Sequence, residues 1–275
     1  MTTFQGAGVN LVGDLYPGDQ PTVMLLHGGG QTRHSWARTA ERLSDHGHAA
    51  LALDLRGHGE SDWAADGDYA LDAFVADILE VIDTLDEPPI LVGASLGGMT
   101  SLLLAGEHPG RAAALVLVDI VVRAEPEGVR RILDFMAAHQ DGFATLDDAA
   151  DAIAAYTLHR KRGRNHDGLK KNLRLRDDGR WYWHWDPEFL RIEDESHRRV
   201  DPERMEAAAA ALELPTLIVR GARSDVVSDE ALAHMRSLVP HAEVVDVKAA
   251  GHMVAGDDND VFADRLEDFV GAVRA

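Results

Sequence analysis

The sequence predicts an α/β protein with a mostly parallel central sheet and helices on both faces, and three observations carry that expectation. Short apolar runs alternate with helix-compatible segments as far as Val118. Two glycine-rich turns follow two of those runs directly, His27-Gly28-Gly29-Gly30 and Gly93-Ala94-Ser95-Leu96-Gly97-Gly98. Asp225 and His252 each stand just beyond a later strand-like run. Such alternation implies right-handed βαβ units, and the active sites of open parallel sheets lie beyond the C-terminal ends of the strands. Every candidate residue falls there.

Taken in chain order, Val23-Met24-Leu25-Leu26 reads as a buried strand, residues 36–46 as a helix and residues 49–53 as a second strand. Residues 71–85 read as a helix, 90–92 as a strand, 99–107 as the helix after the second glycine turn and 115–118 as a further strand. Regularity then breaks from about Arg123 to Pro202. Residues 129–139 and 146–158 are helical in pattern, yet the stretch lacks the strand and turn sequence of another βαβ unit. It reads as a helical cap, residues 123–202, inserted into a core of residues 1–122 and 203–275. The alanine-rich residues 205–214 lead back into strands at 216–219 and 243–247.

The second glycine turn matches G-x-S-x-G, a strand-to-helix turn tight enough to strain the serine backbone and push its hydroxyl into the open. Ser95 is therefore the candidate nucleophile. A serine hydroxyl is a weak nucleophile at neutral pH, so a base must take its proton and a carboxylate must hold the imidazolium that forms. His252 in Ala250-Gly251-His252-Met253 and Asp225 in Arg220-Gly221-Ala222-Arg223-Ser224-Asp225 fill those roles in the order Ser, Asp, His. The first glycine turn leaves backbone N–H groups able to meet an oxyanion, Gly29 on one side, with Gly30 the alternative, and Leu96 on the other.

With Asp54-Leu55-Arg56-Gly57-His58-Gly59-Glu60-Ser61, these motifs resemble the α/β-hydrolase superfamily in the branch that carries a helical cap and includes small serine esterases and cofactor-free haloperoxidases. The resemblance implies that the cap follows the sixth strand, that the 54–61 motif is mainly structural, and that no cofactor is needed. It also raises Asp119, at the end of the run 115–118, as a rival acid to Asp225. The implied activity is hydrolysis of small carboxylic esters or lactones through an acyl-enzyme. A perhydrolase or a C–C bond hydrolase uses the same triad, although C–C hydrolases tend to carry proline where this chain has Gly30-Gln31-Thr32. Epoxide hydrolases and dehalogenases of this fold use an aspartate nucleophile, against Ser95. A ligand-binding module of the same fold would need none of the triad.

The chain has 275 residues, 45% of them hydrophobic, enough for one such domain with an insertion. A net charge of −20 and a pI near 5.0 argue against nucleic acid or an anionic membrane as partner and leave a small-molecule ester or lactone, with a homo-oligomer allowed. Cysteine is absent, and no secretion-signal pattern or membrane-length apolar run occurs, so a cytoplasmic protein is expected. No HExxH helix appears among the 14 histidines, so no catalytic metal is expected.

Trp36, Leu96, Met253 and Trp183 are the candidates for pocket lining. Trp181, Trp183 and Trp185 alternate, so an extended segment would set all three on one face, as a substrate wall or as cap-to-body packing. Basic residues cluster at 160–164 and 170–176, either a steering surface for an anionic substrate or a solvated face.

Overall fold

A computed structural model describes residues 1–156, 167–191, 201–247 and 260–274. Six strands come first: β1 (Thr2–Gln5), β2 (Asn10–Tyr16), β3 (Asp19–Leu26), β4 (His48–Leu53), β5 (Ile90–Ala94) and β6 (Ala114–Val118). A hairpin of β7 (Leu173–Leu175) and β8 (Trp181–Trp183) stands apart, and β9 (Thr216–Gly221) and β10 (Glu243–Val247) complete the main sheet. Among the described residues that sheet has eight strands in the order β1-β2-β4-β3-β5-β6-β9-β10. The β1–β2 and β2–β4 pairs are antiparallel and the remaining pairs parallel, which makes the predicted parallel sheet the main part of the molecule.

Helices cover both faces, and the side-chain alternation of the strands decides which core each residue joins. On β3, Val23 and Leu25 face one way, against Trp36, Ala40 and Leu43 from the α1 side (Ala37–Asp45) and Phe262 and Leu266 of α8 (Asp260–Arg274). Met24 and Leu26 face the other way, with Phe74 of α2 (Leu71–Ile82), Leu102 of α3 (Leu96–Glu107) and Met205 of α6 (Pro202–Ala210). Both faces of β5 and β6 are buried, which is why these strands read as unbroken apolar runs.

Between β6 and α6 the chain leaves the sheet. It forms α4 (Pro126–Ala137), α5 (Leu146–Tyr156), a 3-10 turn at Asp167–Lys171, the β7–β8 hairpin and a second 3-10 turn at Pro187–Leu190. None of these described elements adds a strand to the main sheet. The helices α4 and α5 lie where the sequence pattern sets them. The hairpin was not anticipated, because two three-residue strands are too short to show a period; an isolated bridge between Phe143 and Trp181 extends the pairing. Also unanticipated were β1, β2, α8 and α7 (Asp229–Leu238). The last begins at Ser228, whose hydroxyl accepts the Ala231 N–H at 3.2 Å.

The α3 helix starts hard against the end of β3. The Gly97 N–H donates to the His27 carbonyl at 3.1 Å, and a methyl group on Gly97 would overlap the Leu26 carbonyl. A methyl on Gly93 would overlap the Gly97 carbonyl in the same way. Replacing glycine by alanine in a helix normally stabilises by about 1 kcal/mol. At Gly97 the sign reverses: Gly97→Ala lowers the unfolding free energy in urea by about 1–3 kcal/mol through overpacking against backbone that has nowhere to move.

Candidate active site

Ser95 joins β5 to α3 with φ 46° and ψ −110°, a left-handed conformation that side chains rarely adopt and that costs about 1–3 kcal/mol. The following helix and the two glycine contacts leave the chain no room to relax. The serine is half-buried, and it lines a cavity of about 1090 Å³ bounded by the C-terminal ends of the strands and by residues within 123–156 and 168–189. Leu96 is the first residue of α3. Its N–H has no acceptor among the described residues and stands at the positive end of the helix.

Across the cavity floor lies the glycine turn after β3. A side chain at Gly28 would touch Ser95 Cβ at 3.3 Å, so this turn is the serine's immediate neighbour. The Gly28 N–H is taken by Gln31 Oε1 at 3.0 Å, whereas the Gly29 N–H has no acceptor among the described residues. Gly29 and Leu96, the two candidate oxyanion donors, both keep their N–H groups uncommitted and both line the cavity. Beneath them His27 is fully buried. Its Nδ1–H donates to the Gly28 carbonyl at 2.8 Å and its Nε2 accepts the Leu55 N–H at 3.0 Å, and burial lowers its pKa. It is a strut for the turn.

Of the triad candidates, His252 lies outside the described residues, as does Met253. The two acids are placed very differently. Asp225 is about one-third exposed, is not part of the cavity wall, and pairs with Arg131 of α4 at 2.5 Å. Asp119 ends β6, beside Ser95 on the neighbouring strand, with φ 51°. It is buried, lines the cavity, and accepts the Gly221 N–H at 3.0 Å and the Ser224 hydroxyl at 2.6 Å. The Ser224 hydroxyl in turn accepts from the N–H groups of Val226 and Val227.

Among the pocket candidates, Leu96 and Trp183 line the cavity. Trp183 stacks on Trp185 at 4.8 Å and meets Phe143 edge-on at 5.1 Å, so it is wall and packing at once. Trp36 does not line the cavity. It is fully buried in the core on the opposite side of the sheet, 6.1 Å from Phe262, because the 3-10 turn Arg33–Trp36 rolls it inward before α1 begins.

The 54–61 loop has the structural role expected of it. Asp54, wholly buried, accepts from the Arg33 N–H at 2.6 Å, the Arg33 guanidinium and the Glu60 N–H at 2.9 Å. Arg56 grips Asp77 at 2.6 and 2.7 Å. One residue that sequence reasoning passed over, His184, bridges this loop to the glycine turn. Its Nδ1 accepts the Gly59 N–H at 2.8 Å, and its Nε2–H donates to the Gly30 carbonyl at 3.3 Å. Alternation held the signal: in an extended Trp183-His184-Trp185 the histidine points away from the two indoles.

Comparison with known proteins agrees with this architecture. Residues 21–258 match the alpha/beta hydrolase fold family. Esterase Rv0045c of Mycobacterium tuberculosis is 32% identical over 257 residues, 87% of this chain and 79% of that protein. The 2-(acetamidomethylene)succinate hydrolase of Mesorhizobium japonicum is 28% identical over 260 residues, 93% of this chain and 90% of the relative. A crystal structure of E-2-(acetamidomethylene)succinate hydrolase superposes with a TM-score of 0.79 at 26% identity, covering 96% of this chain and 95% of the other.

The His184 clamp requires a neutral ring, and burial accordingly pushes its pKa down to about 3. An unfolded chain takes up that proton below about pH 6.5, so the clamp's contribution is complete above pH 6.5 and is lost as pH falls towards 3. In urea titrations, His184→Gln lowers stability at pH 7.5, and its further loss between pH 7.5 and 5.0 is smaller than in the native chain. An equal loss in both proteins would show that the ring takes up its proton without cost.

Proposed function

The chain belongs to the alpha/beta hydrolase family, and on that premise we propose that it is a serine hydrolase cleaving carboxylic esters or lactones through an acyl-enzyme. The observation that carries this reading is Ser95, held at φ 46° on a cavity floor beside the uncommitted N–H groups of Gly29 and Leu96. A binding protein gains nothing from a serine strained in that way. A nucleophile gains exposure and a fixed approach.

In the proposed reaction the Ser95 hydroxyl attacks the substrate carbonyl and gives its proton to His252. Negative charge moves to the carbonyl oxygen, where the two N–H groups receive it without reorganising. Collapse expels the alcohol, protonated by His252, and water then enters by the same route to release the acid. Asp119 is the acid that orients the base. Its burial, its place one strand from Ser95 and the two donors that fix its carboxylate support this over Asp225, whose charge is engaged by Arg131. The favour Asp225 keeps is its position in the loop after β9. Relatives named esterase and 2-(acetamidomethylene)succinate hydrolase support acyl transfer to water, and no more than that. The cavity volume stands at the upper end of sites for drug-sized ligands, which supports acyl groups well beyond acetate.

We propose further that residues 123–202 form the cap of this site. The cavity wall supports that role, since Met136, Trp185 and Phe189 face the glycine turn.

Hydrolysis of p-nitrophenyl esters from acetate to decanoate tests the reading. Ser95→Ala loses at least about 10⁴-fold in kcat and loses fluorophosphonate labelling; unchanged turnover or labelling would remove the serine from the mechanism. Asp119→Asn lowers kcat by about 10³–10⁴. Without the carboxylate the imidazolium is less stable, so the acid limb of the rate profile moves to lower pH. Asp225→Asn stays within about tenfold of the native rate. The opposite ranking of the two variants would return the acid's role to Asp225.

A further inference from the structure

The chain carries 47 acidic and 27 basic side chains, yet the charges of the described residues on the cavity wall have the opposite balance. Asp119 is its single acid among the described residues, and it is buried at the floor. Among the described residues the exposed charges on the wall are all positive: Arg123, Arg130 and Lys171. Drawn at random from this composition, three exposed charges would be mostly acidic. Exposure puts these three at the mouth, above an interior lined by residues such as Ile132, Phe135, Ile153 and Trp185.

Their pairing separates them. The Arg123 guanidinium is held by Glu206 outside the cavity. Neighbouring Arg131 is satisfied by Asp225, which also quenches the nearest acid. Arg130 and Lys171 have no ion-pair partner among the described residues. They sit on different elements, α4 and the turn Asp167–Lys171, and both line the cavity. Other cations of the same basic cluster are structural. Arg174 donates to the Gly59 carbonyl and Arg176 lies 4.0 Å over the Tyr182 ring. Lys171 is also felt inside the wall: burial, then the charges of Arg33 and Lys171, lower the pKa of His34, itself a lining residue.

A net charge of −20 repels anions at long range, but at physiological ionic strength charges more than about 8 Å apart are largely screened. At the mouth the local charges decide. We propose that the substrate carries a terminal oxyanion, a carboxylate or a phosphate, on an apolar body. The body enters the chamber, and Arg130 and Lys171 receive the charge at its mouth. The inference rests on the serine-hydrolase reading for where the reacting carbonyl sits, and its test needs no turnover.

The experiment is calorimetric titration of the Ser95→Ala protein with monomethyl suberate, octyl phosphate and the neutral dimethyl suberate. The anionic ligands are expected to bind about tenfold tighter than the diester at 0.05 M salt, and the margin to shrink at 0.5 M. In the Arg130→Gln/Lys171→Gln background the margin falls below about twofold. Tighter binding of the monoester alone identifies a carboxylate as the group received, and of octyl phosphate alone a phosphate. A diester that binds as well as the anions, a preference that survives the double substitution, or no binding of any of the three would each overturn the proposal. Failure of the serine reading would show separately, as loss of labelling and turnover in the native chain.

Discussion

The arrangement depends on one contact between backbones, where the first turn of α3 meets the end of β3. The Gly97 N–H on the His27 carbonyl, with glycine at 93 and 97 because no larger residue fits, locks the Ser95 turn to the glycine turn after β3. Ser95 pays in conformational strain for that proximity. Nothing local relieves it, since β5 and α3 are each packed into the core along most of their length. Strain held by two rigid elements is preorganisation: Ser95 and the N–H groups of Gly29 and Leu96 keep their spacing, as the proposed reaction requires.

A second set of contacts decides how the insertion sits on this floor. Tyr69 gives its hydroxyl to Asp186 at 2.6 Å while accepting the Ala64 N–H, and the Asp186 N–H donates to the Gly57 carbonyl at 2.9 Å. His184 adds its two bonds to Gly59 and Gly30. Phe189 meets the His58 and Tyr69 rings edge-on. All of these land on, or close to, the 54–61 loop, which Arg33 and Asp54 hold from below. Buried polar groups cost free energy unless every partner is met, so a network of this kind fixes one placement where apolar packing alone would allow several.

The sequence made the sheet, the helices on both faces and the floor of the site legible, for reasons that are local. Strands buried on both faces must be continuously apolar, as 90–92 and 115–118 are, and a serine turn this tight must have glycines around it. What escaped depends on contacts far apart in the chain. The pattern around Trp36 cannot tell a cavity-facing residue from one rolled beneath the sheet, because the difference is a 3-10 turn of four residues. The hairpin is extended by a bridge from Trp181 to Phe143, thirty-eight positions earlier. That Asp225 meets Arg131 while Asp119 meets Ser224 likewise follows from contacts that no motif records.

The fold uses its acids in two ways. Surface acids such as Glu107, Asp229 and Asp246 pair with exposed or partly exposed arginines, and such pairs contribute little each. The four aspartates buried among the described residues, Asp54, Asp77, Asp119 and Asp186, instead join distant segments. Asp54 ties residue 33 to residue 60, Asp77 ties residue 56 to residue 7, and Asp186 ties the insertion to Tyr69. Asp119 ties the end of β6 to the loop after β9 through Gly221 and Ser224. A carboxylate buried at such a joint carries its charge to one fixed point. Beside Ser95, that fixity is what supports the proposal of Asp119 as the orienting acid over Asp225, which is partly exposed and paired with Arg131.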